Sequence, residues 1–409
     1  MNPRRRVVVT GIGVVSSIGC KIDDFWKALS TGERGFSSIE PPNPDLGFTK
    51  LALVTDFDPE TRFESRLHQG LDRNAQFALA AAEEAIGDSG LVFGEGLGAR
   101  TGVITGSGIG GSQTMDAAYE RLYRQGKRRT SPMTVPNIMP SSGASHISMA
   151  HGLRGPSFTI SSACASSSHA IGIALSLIRW GSADVIVAGG HESQLNHASL
   201  YAWDALRVVS PTSCRPFSRE RDGMILGEGG AMLVLESLEH ALGRGARIYA
   251  ELSGFGMTAD AHHLTAPSVE GPVSAMRIAL DDAGLGADGI DYVNAHGTGT
   301  ESNDLNEARA IHGVFGARAR EIAVGSTKSM HGHTLGAAGA IEAVATILAM
   351  HHGTVPPTPG ADPIDPDIAL KVIADAAHPM AIRAAMSNSF AFGGLNAVLV
   401  FRSPGDCGS

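Results

Sequence analysis

Short β-branched runs alternate with helical stretches along the whole chain, and glycine marks nearly every junction between them. This alternation is the strongest constraint on the fold, because it demands strands covered by crossover helices. Arg6–Thr10 is expected to be a buried strand ending in a tight turn at Gly11-Ile12-Gly13. Thr101–Thr105, Ser157–Ile160, Val185–Ala188, Ala231–Glu236 and Ile248–Gly254 are further strands. Asp72–Ser89 carries Phe77, Ala81, Ala85 and Ile86 at helical spacing, and Ala165–Trp180 is an apolar helix stopped by Gly181. The same alternation recurs in the second part of the chain, as helix Pro272–Ala283, strand Tyr292–Asn294, helix Asn303–Ile311, strand Ile322–Gly325 and helix Ala337–His351. Ala384–Ser389 and Ala397–Arg402 are closing strands. The pattern predicts an α/β protein with mostly parallel sheets and two tightly packed halves. No fixed-period repeat and no low-complexity linker separates them.

The 51 glycines among 409 residues serve close backbone approaches at these junctions. A formal charge of −9 argues against bulk attraction to nucleic acid. Lys127-Arg128-Arg129 is a local basic exception. Four cysteines (Cys20, Cys164, Cys214 and Cys407) show neither metal-type spacing nor a disulfide framework. Val7–Val15, after a basic start, suits a core strand better than a signal peptide. No apolar run is expected to reach the roughly 18 residues that span a bilayer. Together these features predict a cytoplasmic, reducing compartment.

The segment from Phe158 to Ala170 carries the chemistry. A strand ends, small residues follow, and Cys164 stands at the expected first turn of a long helix. Unpaired N–H groups and the helix dipole there favour a thiolate, the nucleophilic form. The other three cysteines lack this setting and are expected to be structural or surface residues. Two glycine-rich loops after strands offer partners: N-A-H-G-T-G-T with His296, and S-T-K-S-M-H-G-H-T-L-G with His331 and His333. Loops at the carboxyl ends of parallel strands are where α/β proteins gather their sites. His331 and His333 lack a carboxylate or thiol at ligand spacing, so a metal centre is not expected.

These motifs resemble those of the β-ketoacyl-[acyl carrier protein] synthases, most of all the elongating synthase II class. The likeness spans nearly the whole chain, including V-T-G-I-G-V-V, R-P-F-S-R-E-R-D-G-M-I-L-G-E-G and S-N-S-F-A-F-G-G-L-N. It implies the thiolase-like fold, two duplicated α/β halves in a five-layer αβαβα arrangement. Residues 1–254 would form the half with the nucleophile, and 255–409 the half with the two histidines. Cys164 would carry an acyl chain as a thioester. His296 and His333 would stabilise the enolate left when malonyl-[acyl carrier protein] loses carbon dioxide, with Lys328 tuning their electrostatics and Glu342 orienting the Lys328 loop. The N–H groups of Cys164 and Phe392 would form the oxyanion hole, and Phe392 would gate the cavity.

The resemblance also implies that Thr298 and Thr300 contact the phosphopantetheine arm, that Met224 lines the substrate pocket and that Ile109 lines its deep end. Arg66, Arg128, Arg129 and Arg207 would face an acidic acyl carrier protein. A homodimer is implied, and no cofactor is required. A structural monovalent cation near Asn294, Glu342, Ser387 and Asn388 is a further implication. The chain departs from the usual pattern at Met224 (usually Phe), Ala391 (Gly), Leu395 (Thr), Ser218 (Asp) and Glu301 (usually Pro or a small residue). The alternatives are a ketosynthase of a dedicated polyketide, aryl polyene or modified-lipid pathway, a non-catalytic subunit of the chain-length-factor type, and a cysteine hydrolase.

Overall fold

A computed structural model describes residues 4–40 and 45–406. Eleven strands form one mixed sheet. In chain order they are β1 (Val7–Val15), β2 (Thr101–Gly106), β3 (Ser157–Ile160), β4 (Val185–Glu192), β5 (Gly229–Ser237), β6 (Ala250–Ala259), β7 (Tyr292–Asn294), β8 (Ala323–Gly325), β9 (Lys371–Val372), β10 (Ala384–Ala391) and β11 (Leu395–Arg402). Six helices cover them: α1 (Arg73–Ser89), α2 (Ser142–His151), α3 (Ser166–Arg179), α4 (Glu270–Ala283), α5 (Glu301–Phe315) and α6 (Ala338–His352).

The duplication that the sequence period hides is explicit in the topology. The first half runs β3-β2-β4-β5-β1, and the second runs β8-β7-β10-β11-β6, with β9 added at its edge. In chain order both are third-second-fourth-fifth-first. In both, the first three strands of that series are parallel and the last two pairings are antiparallel. The halves join first strand to first strand, through Val8 opposite Glu251 and Val9 opposite Ala250. The expected division at 254/255 lies within β6.

Two expectations need correction. The sheet is not mostly parallel, because each half ends in two antiparallel pairings. In the second half β10 and β11 are joined by a hairpin, which admits no other pairing. Nor does Gly11-Ile12-Gly13 form a turn: β1 continues to Val15, with a bulge between Val9 and Gly11. Both glycines face α1. A Cβ at Gly11 would overlap the Ala85 carbonyl oxygen, and one at Gly13 that of Ala81. Glycine here lets helix and strand touch rather than letting the chain bend.

Five layers result. α1 and α2 cover the first half-sheet outside, around Phe77, Ala81, Ile147 and Val187. α4 and α5 cover the second, around Met276, Ile311, Val293 and Val398. α3 and α6 lie between the two half-sheets, and their core draws on both halves through Ile171, Leu175, Ile341, Ile347, Leu233 and Leu399. Leu335–His352, which includes α6, is an 18-residue stretch long and apolar enough to cross a membrane, contrary to the sequence expectation. It is 89% buried as a middle-layer helix. A helix apolar on all sides is what a central layer requires.

Candidate active site

The pseudo-equivalent third strands place the principal groups. β3 leads into α3 through Cys164, and β8 leads into α6 through Lys328 and His333. His296 follows β7 and Phe392 follows β10, so every group lies beyond the carboxyl end of a strand. The two central helices bring these loops together because small side chains separate them. Ser167 Oγ accepts from the Ala340 N–H at 2.9 Å, and Ser168 Oγ lies 2.8 Å from Ser389 Oγ. Ser167 and Ser168 thus form a polar seam between the halves.

One cavity unites the predicted centre. Cys164, His296, His333, Met224, Thr298, Thr300 and Phe392 all line it. Cys164 sits in a 3₁₀ turn, Ala163–Ala165, just ahead of α3. Ala163 holds φ at +50°, an uncommon value for a residue with a Cβ. Burial pushes the Cys164 thiol up to about 12, and the Lys328 ammonium pulls against it. Burial thus opposes the thiolate that the helix start favours. Desolvation outweighs the positive end of the helix, and the buried carboxyls Glu342 and Glu192 reinforce it.

The imidazole protons can be assigned from their partners. His296 Nδ1 lies 3.3 Å from Lys328 Nζ, a donor with no acceptor capacity. His333 Nδ1 accepts from the Leu335 N–H at 3.3 Å. In both rings Nδ1 is the acceptor, so the neutral tautomer carries its proton on Nε2. Burial first, then Lys328, keeps both rings well below the usual histidine range. Their centroids are 5.3 Å apart and their planes nearly perpendicular. Lys328 is fully buried and ion-paired with Glu342, whose carboxyl burial raises to about 7 despite that partner.

Two buried carboxylates that the sequence did not point to hold the His296 loop. Glu307 on α5 accepts from the His296 N–H at 2.8 Å and the Gly297 N–H at 2.7 Å. Asp304 accepts from the Phe217 N–H at 2.8 Å and the Gly299 N–H at 3.2 Å. Their i,i+3 spacing, directly after N-A-H-G-T-G-T, was the available signal. Trp203 was likewise unanticipated: it lines the cavity and stacks on Phe392 at 6.2 Å. The Phe392 turn is pinned by Gly394 N–H to Ala391 O and Gly393 N–H to Leu264 O, and among the described residues the Phe392 N–H makes no such bond. The hydroxyls of Thr298 and Thr300 lie 2.9 Å apart.

Ile109 is not in this cavity. It is 55% exposed and lines a separate groove with Met115, Tyr119 and Ile138. Glu192 holds the Gly108 N–H and Ser107 Oγ holds the Gly110 N–H, which fixes the turn that carries Ile109. Arg66, Arg128, Arg129 and Arg207 are exposed, and none forms a salt bridge among the described residues. Arg207 directly precedes Val208, a cavity-lining residue. Cys214 is fully buried and Cys20 partly so, with burial raising both thiols; Cys407 lies outside the described residues.

The oxygen set implied for a monovalent cation passes a test of fit. Asn294 Oδ1, Ser387 Oγ, Asn388 Oδ1 and Glu342 Oε2 are all buried without a hydrogen-bond partner among the described residues. Buried oxygens in that state suit a hard cation.

Comparison with known proteins extends the picture. A family model described as the beta-ketoacyl synthase N-terminal domain matches residues 4–241, and one described as the C-terminal domain matches 249–362. Nodulation protein E of Rhizobium sp. (strain N33) is 44% identical over 398 residues, covering 97% of this chain and 99% of that protein. The 3-oxoacyl-[acyl-carrier-protein] synthase 2 of Staphylococcus aureus (strain COL) is 41% identical over 410 residues, covering 98% and 99%. A type II polyketide ketosynthase, solved in complex with its acyl carrier protein and bound to the hexaketide, superposes with a TM-score of 0.88. It is 34% identical and covers 98% of this chain and 100% of that one.

Proposed function

The chain belongs to the beta-ketoacyl synthase family, and from that premise we propose how its cavity performs the condensation. The protein is an acyl-transferring condensing enzyme that elongates acyl chains held on acyl carrier protein. In the first half-reaction the Cys164 sulfur attacks the carrier-bound acyl thioester. The acyl chain moves to Cys164, and the thiol proton leaves with the carrier's phosphopantetheine sulfur. The N–H groups of Cys164 and Phe392 stabilise the tetrahedral oxyanion.

In the second half-reaction malonyl carrier protein enters. The Nε2–H groups of His296 and His333 donate to the malonyl thioester carbonyl. Carbon dioxide leaves, and its bonding electrons form an enolate held by those donors. The enolate carbon attacks the Cys164 acyl carbonyl and expels the Cys164 thiolate, giving the 3-oxoacyl product, and the thiolate takes up one proton from solvent to restore the thiol. Lys328 keeps Nδ1 of His296 in its acceptor role and adds positive potential where enolate charge develops. Glu342 holds Lys328. Thr298 and Thr300 face the pantetheine arm, and Met224 faces the acyl chain. The stacked pair Phe392–Trp203 excludes water, which the thioester and carbanion both require. A cation at Asn294, Glu342, Ser387 and Asn388 would supply only structural charge balance.

The observation that carries this reading is the pair of neutral imidazoles. Both turn Nδ1 toward a donor and keep an Nε2–H for the cavity that holds Cys164. A hydrolase needs a base to activate water, and two donor-presenting rings do not provide one. Exposed Arg66, Arg128, Arg129 and Arg207 suit an acidic carrier surface. The partners are acyl and malonyl carrier protein, the assembly is a homodimer, and the compartment is cytoplasmic. The two halves divide between β5 and β6.

A second reading shares the chemistry: a ketosynthase dedicated to one specialised acyl chain. Relatives named Nodulation protein E stand beside the synthase 2 relatives, and Met224 and Ala391 alter the cavity wall. Intact-mass analysis with acyl carrier substrates tests both readings. A covalent adduct lost in Cys164→Ala, with carbon dioxide released from malonyl carrier protein, is expected. Thioester hydrolysis without decarboxylation sinks the synthase reading. Turnover with one dedicated carrier only selects the second reading.

A further inference from the structure

His169 lies on α3 five residues after Cys164, outside the cavity that holds His296 and His333. Its Nδ1 is 2.8 Å from Ser162 Oγ and 3.1 Å from the Ala165 carbonyl oxygen. Those two residues bracket Ala163-Cys164. A carbonyl oxygen only accepts, so Nδ1 carries the proton, shared between Ala165 O and Ser162 Oγ. Phe255 closes the other side, with its ring edge-on to the imidazole at 6.1 Å. Burial lowers the basicity of the ring, in keeping with a neutral donor.

The bracketed turn needs such a tie. Ala163 holds φ at +50°, and a strained backbone persists only where its surroundings fix it. Ser166 supplies part of that support. Its Oγ donates to Ala163 O at 2.6 Å and accepts from the Ser162 N–H at 2.9 Å. The Ala165 N–H closes the turn on Ser162 O at 3.1 Å. None of these bonds fixes the Ser162 hydroxyl to α3. Only His169 does.

We propose that His169 is a positioning residue for the nucleophile: through Nδ1 it locks the Ser162–Ala165 elbow to α3, so that the Cys164 sulfur and N–H meet the incoming thioester. The proposal rests on Cys164 being the acyl carrier. It assigns His169 to acyl transfer alone, because decarboxylation depends on the His296 and His333 loops of the other half.

The two half-reactions test it separately. In His169→Leu, acylation of Cys164 from acyl carrier protein, followed by intact mass in single turnover, falls tenfold or more. Carbon dioxide release from malonyl carrier protein stays within twofold of wild type. His169→Asn, which sets an amide N–H near the place of Nδ1, recovers most of the acylation rate. His169→Gln, whose N–H lies nearer Nε2, does not. Equal loss of both half-reactions, with a lowered Tm, makes His169 a packing residue only and overturns the proposal. Wild-type acylation in His169→Leu also overturns it. An adduct that survives Cys164→Ala overturns the nucleophile assignment instead.

Discussion

The ammonium of Lys328 stands 3.3 Å from Nδ1 of His296 while paired on its other side with Glu342, and all three side chains are shielded from solvent. One buried cation thereby sets the tautomer of the His296 ring in one loop and pairs with a carboxylate on the central helix α6. Removing one partner of such a pair strands the other, which typically costs about 3–5 kcal/mol. Lys328→Met should lose stability of that order in urea unfolding. It should also abolish decarboxylation, because His296 then loses the donor that fixes Nδ1. Lys328→Met combined with Glu342→Gln should recover stability but not decarboxylation.

His333 should tolerate glutamine better than asparagine. Its Nδ1 is engaged by the Leu335 N–H, so the proton that matters is on Nε2. Glutamine reaches toward that nitrogen, whereas asparagine mimics Nδ1. His333→Ala should slow carbon dioxide release by about 10²–10³, the usual effect of losing one such donor. Cys164 should still form its acyl adduct in that variant, as intact mass would record.

Cys164 should react slowly with a small alkylating agent when no substrate is present. Burial holds its thiol at about 12, so the thiolate fraction should rise with pH without a plateau up to pH 9. Iodoacetamide labelling read by mass spectrometry would measure this. A plateau below pH 8 would mean that the helix terminus and Lys328 prevail over desolvation.

Acid should destabilise the fold through His191, a fully buried ring on β4 whose Nε2 lies 3.3 Å from Thr105 Oγ1. Burial depresses it to about 4. The unfolded chain takes up a proton on this ring near pH 6.5, and the folded chain only near 4. Stability from the neutral ring is therefore complete above 6.5 and is lost as pH falls toward 4, by about 3 kcal/mol. His191→Gln should flatten that part of the profile when unfolding free energies at pH 7 and 4.5 are compared with wild type. An unchanged slope would remove His191 as its source.

Much of the site was legible in the sequence because its groups sit at strand ends in glycine-rich loops. Cys164, His296, Lys328, His333 and Phe392 each follow a strand, and the structure brings Cys164, His296, His333 and Phe392 to one cavity with Lys328 behind it. Glu307 and Asp304 were not legible. A carboxylate on a helix looks like an ordinary solvated residue until the packing of α5 against the His296 loop buries it. Ile109, which the resemblance put at the deep end of the pocket, lines a separate groove of the single chain, with its turn held by Glu192 and Ser107.

The sequence by itself determined the strand and helix order, because side-chain periodicity is a local property. It marked Cys164 and the His296 and His333 loops as candidates through their residue types and their positions after strands, and the family resemblance implied their roles. Tertiary structure alone decided the strand directions, the continuation of β1 past Gly11 and the seam between α3 and α6. It also decided the proton positions on His296 and His333 and the protonation of Cys164. Each depends on which groups lie nearby in space and how much water they exclude, and neither is a property of neighbours along the chain.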